Sequence, residues 1–165
     1  MQRIAVRCLG LFGLLEKKPS EELVKQLRLS FVNGPSAVCV VACKALIDLV
    51  MWHGPQEVDR ALGENFSSKF QDDKKAFSPV NLSDTGEGLD VQTLDLLYAG
   101  IDRYEQGNSL ASDENESVQA ILGEGFAKIL LLSENYPSMQ SSLHPFLLAK
   151  LINLYFSNER KDLQR

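Results

Sequence analysis

The chain has 165 residues, of which 44% are hydrophobic and 24% charged, and this balance excludes wholesale disorder for a chain of one-domain length. Its 17 Lys and Arg against 22 Asp and Glu give a net charge of -5, which argues against a stand-alone nucleic-acid binder but leaves room for a small basic patch. Three cysteines are too few for a disulfide framework, and their odd number indicates a reducing compartment.

No segment predicts a membrane span or an export signal. Charges interrupt the longest apolar runs at Arg7 and Asp48, so that neither run approaches the roughly 20 residues that span a bilayer. Residues 1–11 resemble a secretory leader slightly, but Arg7 falls within the apolar region and Glu-Lys-Lys-Pro at 16–19 follows instead of a cleavage site. We therefore expect a soluble intracellular chain.

Apolar residues recur at helical spacing in six segments, and no segment shows the alternation of a β-strand. The third segment, from about Ala37 to Trp52, is apolar almost all round, so we expect it at the centre of the fold. Pro19 and Pro35 stand where the first position of a helix is expected. In chain order, the residues that mark the other five helices are Ile4, Cys8, Leu11 and Leu15; Val24, Leu27 and Phe31; Leu94, Leu97, Tyr98, Ile101 and Tyr104; Val118, Ile121, Leu122, Gly125, Ile129 and Leu132; and Leu148, Leu151, Ile152 and Tyr155.

The odd-numbered helices repeat one another, and the even-numbered helices superpose in the same way. Gly10 of the first helix aligns with Ala45 of the third, 35 residues later, and with Gly125 of the fifth, a further 80 residues later. Cys8 and Cys43 also align, so we interpret both as small core residues that let neighbouring helices approach closely. The sequence therefore predicts helical hairpins that must stack, because each hairpin has two apolar faces.

Two positions of the odd-numbered helices vary freely and lie four residues apart, so we expect them to form one solvent-facing stripe. The stripe consists of Leu9, Lys44 and Glu124 at the first position and of Gly13, Asp48 and Lys128 at the second. Residue 7 is the misfit of the alignment, because Arg7 stands where the other copies have Ala42 and Leu122.

The predicted fold class is an all-α superhelix of the HEAT or armadillo kind, with three helical hairpins in a single segment. The hairpins are expected at about 2–33, 35–106 and 115–158. The middle hairpin is lengthened by about 63–88, where few apolar residues and many turn formers predict a disordered insertion, preceded by a short helical turn at 56–62.

Four strings of the sequence resemble one family. They are Ala-Val-Arg-Cys-Leu-Gly-Leu-Phe-Gly-Leu-Leu at 5–15, Lys-Ala-Leu-Ile-Asp-Leu at 44–49 followed by His53-Gly54, Glu-Gly-Phe-Ala-Lys at 124–128, and Leu-Ala-Lys-Leu-Ile-Asn-Leu-Tyr-Phe at 148–156. Together they are similar to the C-terminal conserved region of condensin complex subunit 3, the G-type HEAT-repeat subunit, in a plant-like version.

This resemblance implies a non-catalytic scaffold that is a piece of a longer curved solenoid, and the helix starting at Met1 and the lead-in at 162–165 fit such a piece. The implied partners are the kleisin subunit of condensin and, through it, the structural-maintenance-of-chromosomes ATPases. Chromatin and DNA would be reached through the whole complex, during mitotic and meiotic chromosome condensation. The implied location is the nucleus and chromosomes, with a cytoplasmic pool in interphase, and no membrane or small-molecule substrate is implied.

Two other classes of function remain open on the residues alone. One is a generic HEAT or armadillo adaptor that binds extended peptide cargo in its concave face, as in nuclear transport. The other is a helical enzyme domain, which we disfavour because no acid–base constellation is recognisable around the two histidines, His53 and His144. No catalytic, cofactor or metal site is predicted, since Cys39 and Cys43 lie one turn apart without a second ligand pair.

One basic contact patch is a candidate site for contact with phosphate. The alternative is a solvated helix face balanced by Glu21 and Glu22. The residues of the candidate patch are Lys17, Lys18, Lys25 and Arg28.

Ser78 is a candidate phosphorylation site, because Ser78-Pro79 is the minimum sequence for a proline-directed kinase. A phosphate would add about -1.5 to -2 charges to the expected insertion and so alter a partner contact. The alternative is an ordinary loop dipeptide, since no basic residue follows it directly.

Overall fold

The computed structural model describes residues 1–63, 91–105, 113–132 and 144–162, and all regular structure in these ranges is helical. The predicted all-α class is therefore confirmed, and α4 lies where the short turn at 56–62 was expected. The helices are α1 Gln2–Leu15, α2 Glu21–Asn33, α3 Ser36–His53, α4 Pro55–Arg60, α5 Thr93–Glu105, α6 Asp113–Leu131 and α7 His144–Asp162. The expected insertion at 63–88 lies almost wholly outside the described residues.

The prolines lie slightly before the helices that they were expected to begin. Pro35 is the N-terminal cap of α3, because its carbonyl accepts the amides of Val38 at 2.7 Å and Cys39 at 2.9 Å. Pro19 precedes Ser20, the cap of α2. Between α3 and α4 the backbone of Gly54 takes φ 87°, a conformation that side chains disfavour, and this glycine lets one helix follow the other directly.

Helices α1, α3 and α6 form one layer with α3 in the middle, since α3 packs against both of the others. A Cβ atom at Gly10 would lie 2.7 Å from Cβ of Ala45, and one at Gly13 would lie 2.8 Å from Cδ2 of Leu49. These contacts advance in the same direction along both helices, so α1 and α3 are parallel neighbours. The prediction that the third helix is central is confirmed.

The register between α3 and α6 follows the same repeat. Lys44 acts electrostatically on Glu124, and Asp48 on Lys128, so these pairs also advance in the same direction. A Cβ atom at Gly125 would collide with the side chain of Ile47, which shows how closely the two helices approach. The 80-residue offset found in the sequence is therefore the spatial register of the layer.

The second set of helices packs against the first and closes the core. Helix α2 packs on α1 and α3, α5 packs on α6 and α4, and α7 packs on α6. Val24, Leu27 and Phe31 of α2 are buried as expected, and Phe31 reaches across to Gly100 of α5. The core therefore lies between the two sets of helices.

The predicted apolar face of α1 is wrong. Val6, Gly10 and Gly13 are its buried residues, whereas Cys8 and the Ile4–Leu11–Leu15 stripe are exposed. Because α3 can approach α1 only over small side chains, the glycine face packs and the larger side chains point outwards. The small-core interpretation holds for Cys43 but not for Cys8, and Gly13 does not belong to a solvent-facing stripe.

The predicted stripe of α7 is also wrong in part. Leu147 and Leu154 are buried, whereas Leu148, Ile152 and Tyr155 are 50%, 46% and 63% exposed. The packing on α6 covers only one side of this helix, and no described helix lies on the other side. Tyr155, which marks the predicted apolar stripe of this helix, is therefore at the surface.

Among the described residues, α3 alone has the length and apolar composition of a helix that could cross a membrane. Half of that stretch is buried within the molecule, where α1, α2 and α6 surround it. This is the burial of a central core helix.

Candidate partner-binding surfaces

The candidate basic patch is smaller than the sequence suggested. Lys17 and Lys18 are exposed in the turn after α1, and Lys25 is exposed on α2 but pairs with Glu21 one turn before it. Arg28 is completely buried and cannot contact a partner, so its assignment to a surface patch is wrong. Lys18 lies 3.9 Å from Glu57, so of the candidate lysines only Lys17 makes no ion pair with a described residue, and the patch is too small to form a phosphate-binding row.

Arg28 belongs instead to a buried polar network that joins α2, α4 and α5. Its Nη1 donates to Oγ1 of Thr93 at 2.8 Å, and its Nη2 donates to the carbonyl of Val91. Thr93 in turn donates its hydroxyl to Oδ1 of Asp59 at 2.6 Å and its backbone amide to the same oxygen at 2.9 Å. The carboxylate therefore caps the first residue of α5, and the guanidinium fixes the hydroxyl between them.

The pKa of the buried Asp59 carboxyl reflects opposing effects. Burial raises the pKa of this carboxyl, and the two hydrogen bonds from Thr93 and the nearby charge of Arg28 oppose the rise only in part. The network takes Arg28 from α2, Asp59 from α4 and Thr93 from α5. It is a structural tie rather than a contact site.

The two cysteines that suggested a metal site have other roles. The thiol of Cys39 donates to the carbonyls of Gly34 at 3.0 Å and Phe31 at 3.2 Å, and burial raises the pKa of Cys43. Both thiols are buried in the core of the molecule. Within the described ranges no three metal-ligating side chains come together.

His53 also has a structural contact. Its Nε2–H donates to the carbonyl of Gly13 at 2.7 Å, and this carbonyl is one of the last four of α1. The imidazole at the end of α3 therefore caps the end of α1. The side chain of His144 and the whole of Ser78 lie outside the described residues.

A groove of about 430 Å³ runs between α1 and α3, and the described residues that line it all belong to these two helices. We call it the α1–α3 groove. Arg7, Lys44 and Asp48 are its charged residues. Its apolar lining consists of Gly10, Leu11, Leu14, Val40, Val41 and Ala45.

The charged side chains of the α1–α3 groove differ in their exposure to solvent. Arg7 and Lys44 are exposed and make no ion pair with any described residue. Asp48 is half-buried, and burial raises its pKa against the opposing charges of Lys44 and Lys128. Sequence reasoning missed this site, although the misfit of Arg7 in the repeat alignment was a signal for it.

Apolar side chains cover the outer surfaces of α1 and α7, which we call the α1 end face and the α7 end face. Val24 and Phe31 of α2 are the repeat equivalents of Leu148 and Tyr155 of α7, and the former pair is fully buried. The uncovered residues of the α1 end face are Ile4, Leu11, Phe12 and Leu15, and those of the α7 end face are Phe146, Leu148, Ile152, Tyr155 and Phe156. Apolar surface of this extent is typical of contact with another protein element.

Parallel helices stacked in one layer, with their partners packed behind them, define a helical-repeat protein of the HEAT-like class. The family model described as nuclear condensing complex subunits, C-terminal domain, matches residues 1–165. The chain belongs to this family, and it is therefore a condensin subunit region. The resemblance seen in the sequence is confirmed, while its plant-like character stays a prediction. No curated protein and no solved structure matched the chain.

Proposed function

We propose that this chain is a non-catalytic scaffold segment of a condensin regulatory subunit, and that it binds the kleisin subunit in mitotic and meiotic chromosome condensation. The observation that carries the proposal is the family match over the whole chain. Through the kleisin the segment is joined to the structural-maintenance-of-chromosomes ATPases, and chromatin is reached by the complex as a whole. The family description places such subunits in the nucleus, to which we add a cytoplasmic pool in interphase.

The two end faces support a scaffold role. We propose that the hairpins at about 2–33, 35–106 and 115–158 are repeats of a longer stack, in which further helices cover the α1 and α7 end faces. Exposed side chains such as Leu148 and Tyr155 would then be buried as Val24 and Phe31 are in this chain. The net charge of -5 agrees with a segment that meets protein rather than DNA.

The absence of turnover is part of the proposal, and the engagement of the reactive side chains supports it. Cys39 donates to backbone carbonyls, and His53 is bound to the carbonyl of Gly13 at 2.7 Å. Nucleophilic catalysis needs a hydrogen bond between a nucleophile and a base, and within the described ranges both of these side chains bond to backbone carbonyls instead.

Crosslinking mass spectrometry of the assembled complex, purified through a tag on this subunit from dividing cells, tests the proposal. We expect recovery of a kleisin and a pair of ATPases, with crosslinks from the kleisin to lysines of this chain. Lys17 and Lys25 report on the α2 side, and Lys44 and Lys128 report on the α1–α3–α6 layer. Recovery of import cargo and a small GTPase instead would favour the peptide-cargo adaptor and overturn the condensin assignment.

We also propose that Ser78 is phosphorylated in mitosis and that the added charge of about -1.5 to -2 regulates a partner contact. The support is the Ser78-Pro79 dipeptide alone. Phosphopeptide mapping of mitotic and interphase material tests this idea, and an unmodified Ser78 in mitotic material would remove it.

A further inference from the structure

We infer that the α1–α3 groove docks a short acidic amphipathic segment of a protein partner. The apolar side chains of that segment would fill the groove, and its carboxylates would bind Arg7 and Lys44. The inference rests on the proposed scaffold role, because it names the surface and the chemistry of one partner contact. It concerns a surface apart from the α7 end face, and this surface shares only Leu11 with the α1 end face.

The shape of the groove favours a side chain of a partner over a bare ion. Its volume of about 430 Å³ lies in the range of ligand pockets, and apolar residues form most of its lining. Gly10 and Ala45 lie at its base, where the two helices approach most closely. Leu11, at 55% exposure, leaves an apolar wall that a partner could cover.

The charges select the sign of the partner. Arg7 stands on α1 and Lys44 on α3, so the two cations flank the groove from opposite helices, and neither has an ion pair among the described residues. A carboxylate on a partner would gain charge-assisted hydrogen bonds from both cations. Because Leu11 and Val41 line the same groove, the partner needs an apolar residue next to its acid.

Asp48 makes nucleic acid the poorer occupant. This half-buried carboxyl lines the groove one turn beyond Lys44, and Glu124 of α6 lies within electrostatic range of Lys44. A regular array of phosphates would meet these acids and would leave the apolar lining unused. A peptide can instead place its acid at the Arg7 end and an uncharged residue at the Asp48 end.

The test is a selection of random peptides displayed on phage against the whole chain, with subtraction on the Arg7→Glu/Lys44→Glu variant. We expect the enriched peptides to carry Asp or Glu beside Leu, Ile or Phe. Fluorescence anisotropy with the synthesised peptides should then show about tenfold or more weaker binding to the double variant. The Arg3→Glu/Lys17→Glu variant makes the same charge change on exposed residues outside the groove and should bind as the parent does.

Leu11→Ser is the second variant, since it removes apolar lining without changing charge, and it should also weaken binding. Thermal melts followed by circular dichroism confirm that each variant is folded. Peptides without acids, peptides that bind both double variants equally, or a preference for duplex DNA would each overturn the inference. If the kleisin still co-purifies with the Arg7→Glu/Lys44→Glu variant as with the parent, the scaffold proposal stands and the groove is not its contact.

Discussion

Gly10 and Gly123 both lie inside helices of the α1–α3–α6 layer, but their surroundings differ. A Cβ atom at Gly10 would lie 2.7 Å from Cβ of Ala45, which has no flexible end that could move away. At Gly123 the nearest atom, Cδ1 of Leu154, would be 4.0 Å away. The close approach of α1 to α3 therefore depends on a missing side chain at one glycine and not at the other.

The substitutions Gly10→Ala and Gly123→Ala should consequently differ in their effect on the free energy of unfolding. Both gain helix propensity of up to about 1 kcal/mol, so this contribution cancels when the two variants are compared. Gly10→Ala also forces α1 away from α3, and we expect its free energy of unfolding to lie about 1–3 kcal/mol below that of Gly123→Ala. Urea denaturation followed by circular dichroism measures the difference, and equal stabilities would show that α1 does not pack on α3 over Gly10.

Arg28 and Lys25 stand one turn apart on α2 and share a charge but not an environment. Arg28→Met removes the donor that fixes Thr93 and leaves Asp59 without a nearby buried cation, so we expect a loss of about 3–5 kcal/mol in unfolding free energy. Lys25→Met removes only an exposed pair with Glu21 and should change stability little. Chemical denaturation of both variants decides this point, and a small effect at both positions would place Arg28 at the surface.

At the scale of elements, the sequence predicts which helices exist and which side of α2 is buried, but not the buried side of α1 and only part of that of α7. The central position of α3 follows from its apolar circumference, and the register of α6 on α3 follows from the repeat. The buried side of α1 does not follow, because Gly10 and Gly13 carry no hydrophobic signal and pack only through close approach. An analysis of periodicity assigns the most hydrophobic residues of a helix to its buried side. Where two stacked helices approach closely, the buried side instead carries the smallest residues.

The polar tie between α4 and α5 could not be predicted for a different reason. Asp59, Thr93 and Arg28 are separated by 34 and 65 residues, and each of them reads as an ordinary polar residue of its own helix. Only the folded chain brings them together. The α1–α3 groove could be predicted from the sequence in part, since Arg7 is a charged residue at a repeat position where the other copies have Ala42 and Leu122.

The tie at Asp59 predicts how stability depends on pH. Because burial raises the folded pKa of Asp59 above the ordinary value of about 3.9, its protonated form is favoured on folding. Its contribution to stability is therefore fully present below the unfolded pKa and is lost as the pH rises through the folded pKa. Asp59→Asn does not titrate, so we expect its stability relative to the parent to increase as the pH is raised from acid to neutral.

Urea midpoints of the parent and of Asp59→Asn at several pH values check this, because all other carboxyls titrate in both chains. Asn keeps an oxygen acceptor for the amide of Thr93, so the cap on α5 is retained while the charge is removed. Parallel pH profiles, or a parent that gains on the variant as the pH rises, would mean that the folded pKa of Asp59 is not raised.

At the scale of the whole molecule, the apolar side chains between the two sets of helices are buried, whereas those on the outer surfaces of α1 and α7 are exposed. The repeat equivalence is the measure of this: Val24 and Phe31 are fully buried by neighbouring helices, while Leu148 and Tyr155 are at least half exposed. A helix that packs on one side only leaves an apolar stripe that water does not solvate well. The free energy available from covering the α7 end face should then appear as association of the chain by itself.

We therefore expect the chain to self-associate as its concentration rises, and the double substitution Leu148→Glu/Ile152→Lys to reduce this association. The two new charges lie four residues apart, so they can pair on the helix surface and leave the net charge unchanged. Ala149→Glu/Asn153→Lys is the matched control, since it introduces the same pair one residue further along, at exposed positions that carry no large apolar side chain, so charge is added without loss of the apolar residues. Sedimentation equilibrium over a wide concentration range should give a smaller mass for the first variant and the mass of the parent for the control. If both variants associate as the parent does, the α7 end face is not the surface that the chain needs to cover, and its exposure gives no support to a longer stack.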